Sequence, residues 1–202
     1  MIMIKVGLDF DNTLIEYDEL FKKLAVEKNL IPDDFIANKI EIRDYLRKKG
    51  LDSEFTFLQG LAYGPRILEA KPPKYMKEVI KKIITKKVSV IIVSHKTQFP
   101  YIGPKYDLRE FALEWMKNQH FFSSEGFNLD LKNIFFKSTK IEKVNCIVDQ
   151  KCNYFVDDLI EILKLIPSNI KRIHYSPNIK YSTNNFRTIT NWKELLTIIN
   201  EI

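Results

Sequence analysis

Five short apolar runs, at residues 2–9, 88–93, 134–136, 154–156 and 170–175, constrain this chain more than any other feature. Runs such as Val88-Ser-Val-Ile-Ile-Val93 are continuous rather than alternating, which suits strands covered on both faces, as in a parallel sheet. The intervals between them carry helical patterns that can serve as crossovers. The expected fold is therefore α/β, a Rossmann-like parallel five-stranded sheet flanked by helices. Two capping signatures place helix starts: Thr139-x-x-Glu142 before a helix over 140–150, and Asn191-x-x-Glu194 before one over 192–200. The chain has no internal repeat and no low-complexity tract.

One interval breaks the rhythm. Between Leu14 and Ala70 the chain is charged and helical in pattern, notably over 18–28 and 35–49, and ends in Gly60-Leu-Ala-Tyr-Gly-Pro-Arg66. A crossover needs only about a dozen residues, so this stretch reads as an inserted helical cap. The expected division is a core of residues 1–15 and 71–202 with a cap of 16–70. Open α/β sheets bind ligands at the C-terminal ends of their strands, so a cap placed there would shape substrate choice.

Composition narrows the class without naming an activity. At 202 residues, 45% hydrophobic and 29% charged, the chain reads as one globular domain with a small insertion. No stretch has the apolar length of a membrane span, and Met1-Ile-Met-Ile4 is cut short by Lys5, unlike a signal peptide. A cytoplasmic protein without membrane partners is expected, as a monomer or small homo-oligomer. The net charge of +6 admits a nucleic-acid or phosphorylated partner, but the lysines are scattered, as on a solvated surface, and nucleic acid is not the expected partner. Cys146 and Cys152 have the spacing of neither a metal site nor a disulfide framework.

The first run ends in Leu8-Asp9-Phe10-Asp11-Asn12-Thr13-Leu14, two carboxylates delivered at the end of a buried strand. Buried carboxylates are costly unless they are protonated or meet a cation. Aspartates at i and i+2 share a face of an extended strand, and a turn there lets one act as nucleophile and the other as acid/base. A Mg²⁺ ion bound by their oxygens would relieve the repulsion. Run 88–93 leads into Ser94-His95-Lys96-Thr97, and run 154–156 into Asp157-Asp158. Lys137, Lys140 and Lys143 lie between them, near the start of the capped helix. One crevice could gather all of these groups.

In Asp9-Phe-Asp11-Asn-Thr13, Ser94, an intervening lysine and Asp157-Asp158, the chain resembles a phosphatase of the haloacid dehalogenase (HAD) superfamily. Segments 62–66, 94–97 and 100–104 are similar to a subgroup associated with bacterial surface-polysaccharide biosynthesis. The resemblance implies a HAD-like core and a Mg²⁺-dependent phosphomonoesterase working through an aspartyl-phosphate. Asp9 would be the nucleophile and Asp11 the acid/base. The metal would be held by Asp9, the Asp11 backbone carbonyl, Asp157 and Asp158. Ser94 would donate to a phosphoryl oxygen, and a lysine (Lys143 preferred, Lys140 or Lys137 otherwise) would neutralise charge. Dehalogenases of the family lack the second aspartate, so Asp11 points to phosphate esters.

Thr13, His95, Lys96 and Arg66 are the candidate substrate-binding residues. The expected substrate is a small phosphorylated metabolite: a sugar phosphate, an amino-alcohol phosphate or a nucleotide-sugar precursor, with capsule or surface-polysaccharide synthesis as the context. The alternatives are a nucleic-acid end phosphatase, a phosphate-retaining mutase and a non-catalytic module that binds a phosphorylated ligand.

Overall fold

The computed structural model describes residues 4–177 and 186–200. All five expected strands form: β1 (Lys5–Leu8), β2 (Ser89–His95), β3 (Ile134–Lys137), β4 (Tyr154–Asp157) and β5 (Lys171–Tyr175). Of the run 2–9, residues 2 and 3 lie outside the described part. The expected count of five is corrected by a sixth strand, β6 (Arg187–Ile189), parallel to β5. It escapes a search for apolar runs because Ile189 is the single apolar residue among its three, as an edge position allows.

The order is β3-β2-β1-β4-β5-β6, and every pairing is parallel. β1 is therefore central, with Leu8 in register with Ile92 on one side and Val156 on the other. Every residue of β4 is buried, whereas the four residues of edge strand β3 are half-buried. Gly7 is demanded by packing: a Cβ there would lie 2.6 Å from the Phe155 ring and 3.0 Å from Cys152 Sγ.

Two compact units make up the chain. The first comprises the residues up to Ile15, Pro72–Lys96 and those from His120 onward. It holds the sheet together with α4 (Met76–Thr85), α6 (Lys140–Asp149), α7 (Ile160–Leu165) and α8 (Trp192–Asn200). Ile91, Val93 and Phe155 pack with Val144 and Ile147 of α6 and Ile162 and Leu163 of α7. Cys146 and Cys152, both free thiols, belong to the same cluster. Both expected caps are present. Thr139 and Glu142 form a reciprocal capping box, while Asn191 accepts from the Lys193 amide and Glu194 accepts from the Asn191 amide.

The second unit is Glu16–Lys71 with Thr97–Gln119, so it also takes in a segment that the sequence division leaves with the core. It is helical: α1 (Asp18–Glu27), α2 (Lys39–Lys48), α3 (Asp52–Tyr63) and α5 (Leu108–Asn118). The pattern beginning at Phe35 becomes helix only at Lys39, because Asn38 caps it with Glu41. α5 joins this unit by packing on α3 and on the short 3₁₀ turn Ile67–Glu69, and buried Trp115 donates to the Ala70 carbonyl at 2.9 Å. Tyr17, Phe21, Phe55 and Tyr63 form an aromatic cluster beneath the Lys39 ammonium, which lies 5.3 Å from the Tyr63 ring centre.

Candidate active site

Three adjacent parallel strands, β2, β1 and β4, end at the same edge of the sheet, and polar residues stand at or just after each end. Asp9 continues the ladder by donating its amide to the Val156 carbonyl at 2.9 Å. The chain then turns. Asn12 has a left-handed φ of 57°, and the amides of Thr13, Leu14 and Ile15 all reach the Phe10 carbonyl. Asparagine tolerates that conformation better than most residues, which is why it suits this position. Its side chain also donates to Asp158 Oδ2 at 3.2 Å, joining the first loop to the last.

Lys143 is the centre of the arrangement. It lies on the first turn of α6, and its amide bonds the Thr139 carbonyl of the cap at 3.1 Å. Its ammonium donates to Asp9 Oδ1 and to Asp157 Oδ2, each at 2.6 Å, with all three side chains buried. Asp157 Oδ1 accepts the Leu159 amide at 2.9 Å, so both of its oxygens are engaged. Lys140, the neighbouring candidate, pairs instead with Glu161 at 2.8 Å.

The electrostatics follow from burial. Desolvation raises the Asp9 carboxyl well above its ordinary range; Lys143 opposes that rise, while Asp157, Asp158 and Asp11 add to it. Burial alone would pull Lys143 down, but the charges and hydrogen bonds of Asp157 and Asp9 outweigh it and hold the ammonium above its usual value.

One oxygen from each of Asp9, Asp157 and Asp158 lies within 4.8 Å of the others. Together with Asp11, these make four carboxylates around two buried lysines, Lys143 and Lys96, a formal excess of two negative charges. Hard oxygen donors with that excess fit one divalent cation such as Mg²⁺.

Lys96 forms a second ion pair. Its ammonium sits 3.0 Å from each oxygen of Asp11, and its side chain is only 2% exposed. Ser94 and Thr13 are buried, and among the described residues their hydroxyls have no hydrogen-bond partner. A buried hydroxyl left that way costs about 1–3 kcal/mol, which a bound acceptor would recover.

Two candidates have other partners. His95 alternates to the opposite face of β2 from Ser94 and Lys96, and its ring contacts the Ser138 carbonyl at 3.0 Å. Arg66 belongs to the helical unit, where its guanidinium is committed to Glu27 and Glu69; the hydrogen bonds it donates to those carboxylates hold it above its usual value. Asn12 and the Lys96–Asp11 pairing are not apparent from the sequence. A left-handed asparagine directly after Asp-x-Asp is the one local signal that singles out Asn12.

No protein-family model and no curated protein matches the chain. Solved structures do. A protein described as a predicted phosphatase from Clostridium acetobutylicum aligns over 100% of both chains with a TM-score of 0.64 at 12% identity. A HAD-superfamily hydrolase of Ehrlichia chaffeensis aligns over 100% of this chain and 98% of its own, with a TM-score of 0.58 at 14% identity. The fold is that of the HAD hydrolases. A further neighbour, a HAD hydrolase of Bacillus subtilis solved bound to magnesium, covers 99% of this chain and 100% of its own with a TM-score of 0.58 at 12% identity. On the HAD fold of this chain, Asp9, Asp11, Ser94 and Asp157 all stand at the C-terminal edge of the sheet, where three neighbouring strands converge.

Proposed function

We propose that this chain is a Mg²⁺-dependent phosphomonoesterase that dephosphorylates a small metabolite through an aspartyl-phosphate on Asp9. The observation that carries the reading is the buried Asp9–Lys143–Asp157 triad, with Asp11 two residues from Asp9 and held by its own lysine. A binding module gains nothing from a nucleophile and a proton donor so close together. The HAD-hydrolase neighbours, one described as a phosphatase and one bound to magnesium, support the same class. The surface-polysaccharide context rests on the sequence resemblance alone.

An oxygen of Asp9 would attack phosphorus, and the bond to the leaving alkoxide would break. Asp11 would give its proton to that leaving oxygen, then take one from the water that hydrolyses the aspartyl-phosphate and returns Asp9 to a carboxylate. Lys143 would hold Asp9 in place and balance charge on the phosphoryl oxygens, and the Ser94 and Thr13 hydroxyls would find acceptors in those oxygens. The Asp9, Asp157 and Asp158 side chains and the Asp11 carbonyl would hold Mg²⁺, which when bound neutralises charge on the phosphoryl group.

The test is phosphate release from a panel of sugar phosphates, amino-alcohol phosphates, nucleotides and end-phosphorylated oligonucleotides, with Mg²⁺ or EDTA. Turnover of one small-molecule class, lost in EDTA and in Asp9→Asn, is expected. Turnover confined to oligonucleotides would move the activity to nucleic-acid ends, and none with folded, Mg²⁺-loaded protein would overturn the reading.

A further inference from the structure

We infer that Lys96 positions the proton-transferring carboxylate of Asp11, rather than serving as a ligand to the substrate's phosphoryl group. The inference rests on the phosphatase reading and assigns a separate task to each of two buried lysines: Lys143 serves Asp9, and Lys96 serves Asp11.

The geometry is one-sided. The Lys96 ammonium is 3.0 Å from both Asp11 oxygens, a forked contact that restrains rotation of the carboxylate about its own axis. Lys96 is the anchored member, with a side chain 2% exposed, while that of Asp11 is 22% exposed. The carboxylate thus stands between a buried cation and the accessible side, where a leaving oxygen or a water would have to meet it.

Lys96 is itself held from several directions. Its amide donates to the Lys137 carbonyl at 2.9 Å, prolonging the β2–β3 ladder past the last residue of β2. Its ammonium lies 5.5 Å from the centre of the Phe10 ring, the residue between the two aspartates. A freely rotating aspartate would spend part of its time in other side-chain rotamers, and proton transfer requires heavy atoms within about 2.6–3.2 Å.

In the first step the Asp9 oxygen–phosphorus bond forms as the bond from phosphorus to the leaving oxygen breaks. The electron pair goes to that oxygen, the proton comes from the acid form of Asp11, and the carboxylate left behind is the form that pairs with the Lys96 ammonium. An alkyl leaving group needs this proton, whereas p-nitrophenolate leaves readily without it. In this first step a lysine acting through Asp11 therefore matters for the first class of ester and little for the second; a lysine gripping the phosphoryl group would matter equally for both.

The experiment measures first-turnover alcohol release for Lys96→Met, Lys96→Arg and wild type, at saturating Mg²⁺. The substrates are p-nitrophenyl phosphate and whichever sugar or amino-alcohol phosphate of the panel turns over fastest. The expected result for Lys96→Met is a loss of about 10²- to 10³-fold in the first-turnover rate on the alkyl ester and under about tenfold on p-nitrophenyl phosphate, with Lys96→Arg restoring part of the difference. Asp11→Asn should show the same pattern, and the double variant Asp11→Asn/Lys96→Met should lose little more than either alone. The double variant removes both members of the ion pair and leaves no unpaired buried cation, so it also serves if Lys96→Met alone does not fold. Equal losses on the two esters, or a change confined to KM, would overturn the inference and return Lys96 to phosphate binding. If the wild type releases neither alcohol, the phosphatase reading itself falls, and the role of Lys96 with it.

Discussion

Lys143 shows how one side chain can join distant parts of a chain. Its ammonium spans Asp9 and Asp157, which are brought together because β1 and β4 are neighbours. Breaking a buried pair by removing one partner is far costlier than never having built it, because the remaining charge stays buried. Lys143→Met should therefore destabilise the metal-free protein by about 3–5 kcal/mol, read as a lower midpoint in urea denaturation. A change below about 1 kcal/mol would show that Asp9 and Asp157 do not depend on this cation. The sequence left Lys137, Lys140 and Lys143 as candidates, with Lys143 preferred on the family resemblance, and the double contact was not legible, since spacing along the chain cannot say which carboxylates a side chain reaches.

The element that aims Lys143 is α6, and its starting point is set by Thr139 and Glu142. The Thr139 hydroxyl accepts the Glu142 amide at 3.1 Å, and Glu142 Oε2 returns the bond to the Thr139 amide at 3.0 Å and also accepts that of Ser138 at 2.9 Å. Thr139→Ala should cost about 1 kcal/mol of stability, measurable as a shift in denaturation midpoint without a change in slope. If the cap also keeps Lys143 in register, the variant should lose the proposed phosphate-releasing activity beyond what its stability predicts; unaltered turnover would show that packing alone sets the helix. Both capping signatures were readable because they are local, depending on residues three positions apart. β6 was not readable, because a three-residue edge strand is defined by the neighbour it pairs with rather than by its own pattern.

For the molecule as a whole, the concentration of acid at one sheet edge has a consequence for stability. Burial raises Asp9, Lys143 opposes that rise and the neighbouring carboxylates add to it, so between the ordinary and the raised value the folded chain binds a proton that the unfolded chain has released. Stability of the metal-free protein then falls as pH rises from the ordinary carboxylate range, about 4, through the raised value. Lys143 acts in the other sense: held above its usual value, it contributes fully at neutral pH and loses that contribution only under strongly alkaline conditions. In EDTA, Tm should accordingly be higher near pH 5 than near pH 8, once the titration of other groups is matched with Asp9→Asn as reference. Mg²⁺ should raise Tm more at the higher pH, approaching about 2.7 kcal/mol of added stability at a hundred times Kd. A Tm indifferent to Mg²⁺ at both pH values would argue against a metal at Asp9, Asp157 and Asp158.

Hydrophobic runs, capping residues and Asp-x-Asp are statements about near neighbours, so five strands, the helix caps and the identity of the carboxylates could all be read along the chain. A phosphate-binding lysine could be narrowed to Lys137, at the end of β3, and Lys140 and Lys143, in α6. Pairing was settled only in three dimensions. Lys143 reaches two carboxylates and Lys140 reaches a different one; Lys96 turns to Asp11 while His95, one residue earlier, turns away; Arg66 is taken by two glutamates of the helical unit. Each of these outcomes depends on which strands lie side by side and which face a residue occupies, and a linear spacing carries neither.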